Sequence, residues 1–419
     1  MKPKILLIGD DIRYPTGVSN VCKNIILNTI SDYDWIQLAC KKEHPEQGSV
    51  IDISQSVSKL TNIENCYARL YCSSGYGDEA TLFKILEEES PSVVVFMTDP
   101  RYYQWLFKLD NQVRQMCPLV YYHVWDNDPL PEFNKKLYAS CDGIACISKL
   151  TYSIVSSLTE GSDVVCKYVP HGIDTKAFHK LSETNIRESK YNLLKDGCEF
   201  AVFCNNANMR RKQLPMVMEA YDKFCSMLPN KQANKTILMF HTNQIGEGGH
   251  DIVKLSEQLY PSRNIIFSTT KVDEVTLNRM YNTFDVTINT ASNEGFGLST
   301  AESLASGTPI ICNNTGGLVD QVDDSNTWGI GINPKVRKLS GDSTTPYLYE
   351  DFLCSDDVAR AIIEIYKKTP TQRIKMGKLG RQHIEQNFSL EIMTSGMKDV
   401  IDTCIKNHKP TPKLKIKKL

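Results

Sequence analysis

The sequence predicts an α/β protein built from two doubly wound, Rossmann-like domains in tandem. Three observations carry that reading. Short apolar runs rich in β-branched residues alternate with helical patterns, which is the signature of parallel strands covered on both faces. The alternation occurs in two series, and 419 residues suffice for two or three domains with their own cores. A polar stretch from Asp174 to Gly197, opening after an HGID turn, divides the series and reads as a linker.

The first series begins with KILLIG (Lys4 to Gly9) and continues through WIQLAC (Trp35 to Cys40), SVVVFM (Ser92 to Met97), LVYYHVW (Leu119 to Trp125), GIACIS (Gly143 to Ser148) and VVCKYVP (Val164 to Pro170). A helix is expected over Val18 to Ile30. Residues 41 to 91 carry too little pattern to be placed. The second series holds FAVFCN (Phe200 to Asn205), TILMFHT (Thr236 to Thr242), NIIFST (Asn264 to Thr269), DVTINTA (Asp285 to Ala291) and Pro309 to Cys312. In doubly wound sheets ligands bind outside the carboxyl ends of the strands, at the switch point of strand order.

Composition excludes several function classes. Lysine and arginine number 48 against 49 acids, so a net charge of −1 offers no field for nucleic acid. The 14 cysteines are scattered, with no C-x-x-C pair, and Cys146, Cys166, Cys204 and Cys312 fall inside apolar runs. They read as reduced core thiols of a cytoplasmic chain. No run approaches the roughly 20 apolar residues of a membrane span, and the amino terminus turns polar after four apolar residues. No Walker loop, H-E-x-x-H, G-x-S-x-G or cysteine nucleophile box occurs, so the common protease, hydrolase and NTPase readings fall away; the loop after the first strand, GDDIRYPTGVSNVCKNII, lacks G-x-G-x-x-G, which argues against a dinucleotide, and no cofactor is expected.

The most informative stretch is NEGFGLSTAESLASGTP (Asn293 to Pro309). Strands before and after it make a strand, loop, helix, strand unit. Gly295 and Gly297 let backbone approach a ligand closely, with Phe296 between them. The free amides at the helix start, from Leu298, carry roughly half a positive charge that suits phosphate or hydroxyl. Glu294 sits at that mouth. At about 100° per residue, Leu298, Ala301, Leu304 and Ala305 share one stripe, and Glu302 falls on its edge. A half-buried carboxylate there calls for donors such as ribose or sugar hydroxyls. Two solvated glutamates and a turn glycine fit these residues equally well.

EGFGLSTAE is similar to the E-x7-E motif of family 4 of the retaining nucleotide-sugar glycosyltransferases, and TGGLVDQV (Thr315 to Val322) resembles that family's loop after the next strand. The resemblance implies a GT-B fold, in which the two domains face each other across a cleft and the last helix, here Leu390 to Ile405, crosses back. The expected domains are therefore 1–174 with 387–419, and 175–386.

The resemblance also singles out residues elsewhere. Gly17 opens the first long helix, in a loop that faces the donor in the family; a plain βα loop is the other reading. In NNANMRRKQL, Arg211 and Lys212 put two cations at a strand-to-helix junction where a diphosphate would lie. The usual arginine five residues before the lysine is Ala207 here, so Arg211 or Arg210 must supply the second cation. In HVWDNDPLP, His123 occupies the position of a family histidine that lies beside the transferred sugar. Asp126 and Asp128 read as turn residues beside Pro129. His171 reads as structural, and His241 and His250 lie where a nucleotide base could pass.

The implied activity is metal-independent transfer of a hexose from a UDP- or GDP-linked sugar to a hydroxyl acceptor on a glycan, lipid-linked sugar or protein, with the anomeric configuration kept. Glu294 and His123 would act at the sugar, Arg211, Lys212 and the amides near Gly297 on the diphosphate, and Glu302 on the ribose. A non-catalytic nucleotide- or glycan-binding protein and a nucleotide-sugar epimerase are the rivals. The chain closes on NHKPTPKLKIKKL, expected as a solvated tail with at most weak attraction to an anionic membrane surface.

Overall fold

The computed structural model describes residues 2–246 and 248–410. The chain divides into two compact units: residues up to Gly172 with Asp342–Pro346 and the segment from Leu390, and Ile173–Gly341 with Tyr347–Ser389.

The first unit is built on strands β1 (Lys4–Asp10), β2 (Asp34–Lys41), β3 (Val50–Asp52), β4 (Ala68–Ser74), β5 (Val93–Thr98), β6 (Leu119–His123), β7 (Gly143–Cys146) and β8 (Val165–Tyr168). Their order is β3-β4-β2-β1-β5-β6-β7-β8, parallel except for β3 against β4. Ile5 to Ile8 and Val93 to Phe96 are completely buried, as expected for strands covered on both faces. The strand order reverses between β1 and β5. The last helix, Leu390–Asn407, packs on this sheet: a Cβ at Gly143 of β7 would lie 2.5 Å from Cys404 Sγ, and Tyr33 donates to Asp402 at 2.7 Å. The final helix therefore belongs to the first unit.

The second unit holds β9 (Phe200–Asn205), β10 (Thr236–His241), β11 (Ile265–Ser268), β12 (Val286–Asn289), β13 (Ile310–Asn313) and β14 (Gly329–Ile332), all parallel, in the order β11-β10-β9-β12-β13-β14. Its reversal lies between β9 and β12. Phe200, Val202, Tyr221, Phe224 and Ile288 form the centre of its core. Helix Pro370–Asn387 crosses helix Leu298–Ala305 closely because Gly377 rests on the Gly307 carbonyl and Gly380 on Leu304. An antiparallel hairpin, β15 (Val336–Ser340) with β16 (Leu348–Phe352), stands apart from the main sheet.

Four features depart from the sequence reading. Residues 41 to 91 contain β3, β4 and helices Ser54–Thr61 and Glu79–Glu89. Strand β4, ARLYCSS, was illegible because its arginine and serines break the apolar run. The expected linker holds helix Glu183–Leu193, whose cap Ser182 accepts from the Asn185 amide. Strand β14, GIGI, was hidden by its glycines; a Cβ at Gly329 would fall 2.7 Å from Ile310. The hairpin was missed because its pattern is polar and two of its acids are buried.

All 14 cysteines are free. Among the described residues no helix is long and apolar enough to cross a membrane. Beyond Pro410 the lysine-rich tail lies outside the described residues.

Candidate functional site

Within the second unit, the two loops that flank the switch point come together. After β9 the chain makes a short turn, Arg210–Lys212, and enters helix Leu214–Ser226 through Gln213 in the left-handed region. After β12 it runs through Thr290–Gly297 into helix Leu298–Ala305. The Ser292 amide donates to the Arg211 carbonyl at 2.7 Å, and Thr290 Oγ1 donates to the Lys212 carbonyl at 3.3 Å. The backbone thus stitches the cationic turn to the acidic loop.

Side chains complete the union. Lys212 Nζ donates to the Glu294 carboxylate, and both residues are only 8% exposed. Arg211 Nη1 donates to the Asn293 carbonyl at 2.5 Å and lies 3.7 Å from Glu294 Oε2. Burial pushes the Glu294 carboxyl up, but Lys212 and Arg211 outweigh it and hold the group below the usual carboxylate range. Arg210 turns elsewhere, to Glu350 at 2.7 Å. Arg211 is therefore the second cation beside Glu294.

The glycine loop is held by the segment that follows β13. Gly297 has φ of +90°, and a Cβ there would lie 2.5 Å from Leu318 Cδ2. Gly317 donates its amide to the Glu294 carbonyl at 2.8 Å and packs its Cα against the Gly295 carbonyl. Gln321 Nε2 donates to the carbonyls of Phe296 at 2.6 Å and Gly297 at 3.0 Å. The first helical bond runs from the Ala301 amide to the Gly297 carbonyl, so the amides of Leu298 to Thr300 precede the ladder. Phe296 corrects one expectation: its side chain is buried edge-to-face on Phe388 at 5.4 Å and anchors the loop.

Glu302 is half-buried and already has one donor, Tyr281 Oη at 2.8 Å, which itself accepts from Asn205 Nδ2 at 2.7 Å. Burial raises its carboxyl to about 7, against the lowering effect of Tyr281. Tyr281 lies on helix Glu274–Thr283 and gave no local signal in the sequence.

Gly17 and His123 belong to the first unit, both on the carboxyl side of its sheet. Exposed Gly17 opens helix Gly17–Thr29, but the Ser19 amide is already taken by the cap Thr16 at 3.0 Å. The carboxylate of Asp10, which accepts from Thr16 Oγ1 at 2.6 Å, sits beside this helix start. His123 is the larger correction. It is completely buried, packed on the rings of Tyr121 and Tyr138, with Nε2 at 2.7 Å from Tyr138 Oη and Nδ1 without a partner. Burial holds it neutral, with its pKa down at about 3. The last residue of β6 is still inside the core because Tyr138 covers it. His171 hydrogen-bonds Tyr122 at 2.8 Å, and His241 hydrogen-bonds Ser268 at 2.9 Å.

Among the described residues one trio has metal-ligand chemistry, Asp11, His44 and Cys72. It does not fit an ion. His44 Nδ1 accepts from the Glu46 amide at 3.0 Å, so Nε2 carries the proton it shares with Asp11, and Arg13 occupies both Asp11 and Cys72.

Two doubly wound units in one chain, each with a reversal of strand order in its sheet, make the GT-B fold. Residues 187–382, most of the second unit, match the family described as glycosyl transferases group 1. Over 214 residues it is 22% identical to the alpha-1,3/1,6-mannosyltransferase ALG2 of Mus musculus, a match covering 49% of this chain and 46% of that protein. The chain thus spans about half the length of this curated relative. Its fold is similar to Anabaena HepE in complex with UDP and glucose (TM-score 0.69, 14% identity, 96% of this chain and 100% of that one). It is equally similar to a glycosyltransferase from Rickettsia africae ESF-5 (TM-score 0.70, 14% identity, 97% and 99%).

Proposed function

We propose that this chain is a retaining glycosyltransferase that moves a hexose from a UDP- or GDP-linked sugar to a hydroxyl acceptor. The observation that carries this reading is the buried cluster of Glu294, Lys212 and Arg211 beside the start of helix Leu298–Ala305, at the switch point of the second sheet. The similarity of EGFGLSTAE to the family 4 motif, the match to glycosyl transferases group 1 and the likeness to structures holding UDP and glucose support it.

The chemistry follows from the charges. Two cations, one carboxylate and a helix start leave the cluster positive, so a diphosphate is attracted there. Its arrival gives Lys212 and Arg211 a second anion to share, which frees the Glu294 oxygens to accept sugar hydroxyls and hold the anomeric carbon toward the acceptor. As the bond to the sugar breaks, negative charge grows on the leaving diphosphate, where Arg211, Lys212 and the helix amides already stand. The leaving phosphate oxygen takes the acceptor's proton. These side chains supply the positive charge that a divalent ion would bring, so transfer is expected to survive EDTA. His123, buried and neutral, has no step in this reading.

The decisive measurement is release of UDP or GDP from candidate UDP- and GDP-sugars, with and without hydroxyl acceptors. Release that grows with acceptor supports transfer. Tight nucleotide binding with no turnover for any pair would favour a binding protein instead. Localisation at the cytoplasmic side and contact with membrane lipid belong to the same proposal and are checked by fractionation.

Glu302 gives a pH test. Its raised pKa means that the fold prefers the protonated acid, so stability is full below the ordinary 4.5 and falls as pH rises through about 7. Ribose hydroxyls need the ionised acceptor. Nucleotide affinity of the wild type should therefore gain on that of Glu302→Gln between about pH 6 and pH 8, by up to roughly tenfold. The same variant should melt higher than the wild type at the alkaline end. Parallel affinity curves for the two proteins would remove Glu302 from the ribose role.

A further inference from the structure

Two consecutive acids on β16 are almost completely buried, Glu350 at 2% and Asp351 at 3% exposure, in a hairpin whose other strand faces solvent. Neighbours on a strand point to opposite sides, so each acid needed its own polar lining. Glu350 accepts from Arg210 at 2.7 Å and from Ser340 at 2.6 Å. Asp351 accepts from Arg337 at 2.7 Å and from Thr315 at 2.9 Å. Buried ion pairs of this kind contribute little net stability compared with apolar packing, because desolvation offsets the attraction. What they do provide is a fixed geometry.

That geometry is directed at the site. The Asp351 amide donates to the Ser292 carbonyl at 3.0 Å, and Asn293 Nδ2 donates to the Tyr349 carbonyl at 2.7 Å, so β16 runs along the two residues before Glu294. The Asp351 carbonyl accepts from Asn313 at 2.8 Å, at the end of β13. On the other side, Glu350 holds Arg210, the first residue of the turn that presents Arg211 and Lys212. One hairpin therefore grips both halves of the cluster.

We infer that the β15–β16 hairpin is the positioning element of the donor site: Glu350 orients the cationic turn through Arg210, and Asp351 with Tyr349 fixes the loop that carries Glu294. The inference rests on the nucleotide-sugar reading for its ligand, and on the hydrogen bonds alone for the clamp. Glu350 and Asp351 are positioning residues and touch no substrate.

The test uses the full chain with Glu350→Ala, Glu350→Gln and Arg210→Ala. Arg210 has a side chain 64% exposed, so its removal breaks the same pair without opening the core. Hydrogen–deuterium exchange should rise roughly tenfold or more at residues 210–213 and 292–298 in both alanine variants, while the amides of β9 and β12 stay protected. UDP and GDP serve as probes, and whichever binds the wild type should bind the alanine variants about tenfold more weakly. Glu350→Gln keeps acceptors for Arg210 and Ser340 and should restore both readouts. Unchanged exchange in the two loops overturns the clamp, whatever the nucleotide does. Loosened loops with undiminished nucleotide affinity overturn the positioning role. A wild type that binds neither nucleotide counts against the nucleotide-sugar reading, while the exchange data still decide the clamp.

Discussion

Lys212→Ala is expected to lower stability by about 3 kcal/mol, because it strands a carboxylate in a site that is 8% exposed. Arg211, 3.7 Å away and bonded to the Asn293 carbonyl, offsets only part of the loss. For a unit of this size such a change corresponds to roughly 6 to 12 °C in melting temperature. The pH dependence identifies the cause. In the wild type the Glu294 pKa is depressed, so the stabilisation is present above the ordinary carboxylate value and is lost as pH falls through the lowered one. In the variant Glu294 takes up a proton more readily. The deficit should therefore be largest near neutrality and shrink as the solution is acidified. Lys212→Ala combined with Glu294→Gln should melt above Lys212→Ala alone, since no unpaired charge remains. UDP or GDP binding should be lost in both. A single variant melting within a degree of the wild type at pH 7 would show that the pair is solvated.

Gly317→Ala should be nearly as damaging, although one methyl group is added. Its Cβ would stand 2.2 Å from the Gly295 carbonyl oxygen and 2.8 Å from Phe296 Cα, both backbone atoms. No rotamer change relieves that contact, so the Glu294–Gly297 loop must move. The Gly317 amide bond to the Glu294 carbonyl and the Gln321 bonds to Phe296 and Gly297 are strained with it. Overpacking of this kind costs about 1 to 3 kcal/mol. The functional loss should exceed that, because the displaced amides are those expected to meet the diphosphate. Thermal melting together with nucleotide titration checks it. Unaltered nucleotide affinity would mean that the loop is not part of the binding surface.

Much of the candidate site was legible because its parts are local. The eight-residue step from Glu294 to Glu302, the glycines between them and the Arg211–Lys212 pair are contiguous patterns at strand ends, and strand alternation put them at one switch point. Residues that act from a distance were not legible. Tyr281, Glu350 and Asp351 reach the site from two other segments, and nothing in the residues around them marks a destination; the loop holding Gln321 was marked by TGGLVDQV, but not the bonds Gln321 makes. Phe296 and His123 were misjudged for a related reason. Both stand beside site-forming positions, but exposure depends on what packs over them, and Phe388 and Tyr138 do so here.

By itself, then, the sequence determined the α/β class, two Rossmann-like series and the chemistry available at the ends of β9 and β12, since these depend on periodicity, on glycine and on the order of charges along the chain. Tertiary structure decided which of those groups meet. It chose Arg211 over Arg210 by giving the latter to Glu350, set the Glu294 and Glu302 pKa values in opposite directions, and withdrew His123 into the core. The physical reason is that desolvation and ion pairing depend on neighbours within a few ångströms in space, and those neighbours come from parts of the chain that the local pattern does not record.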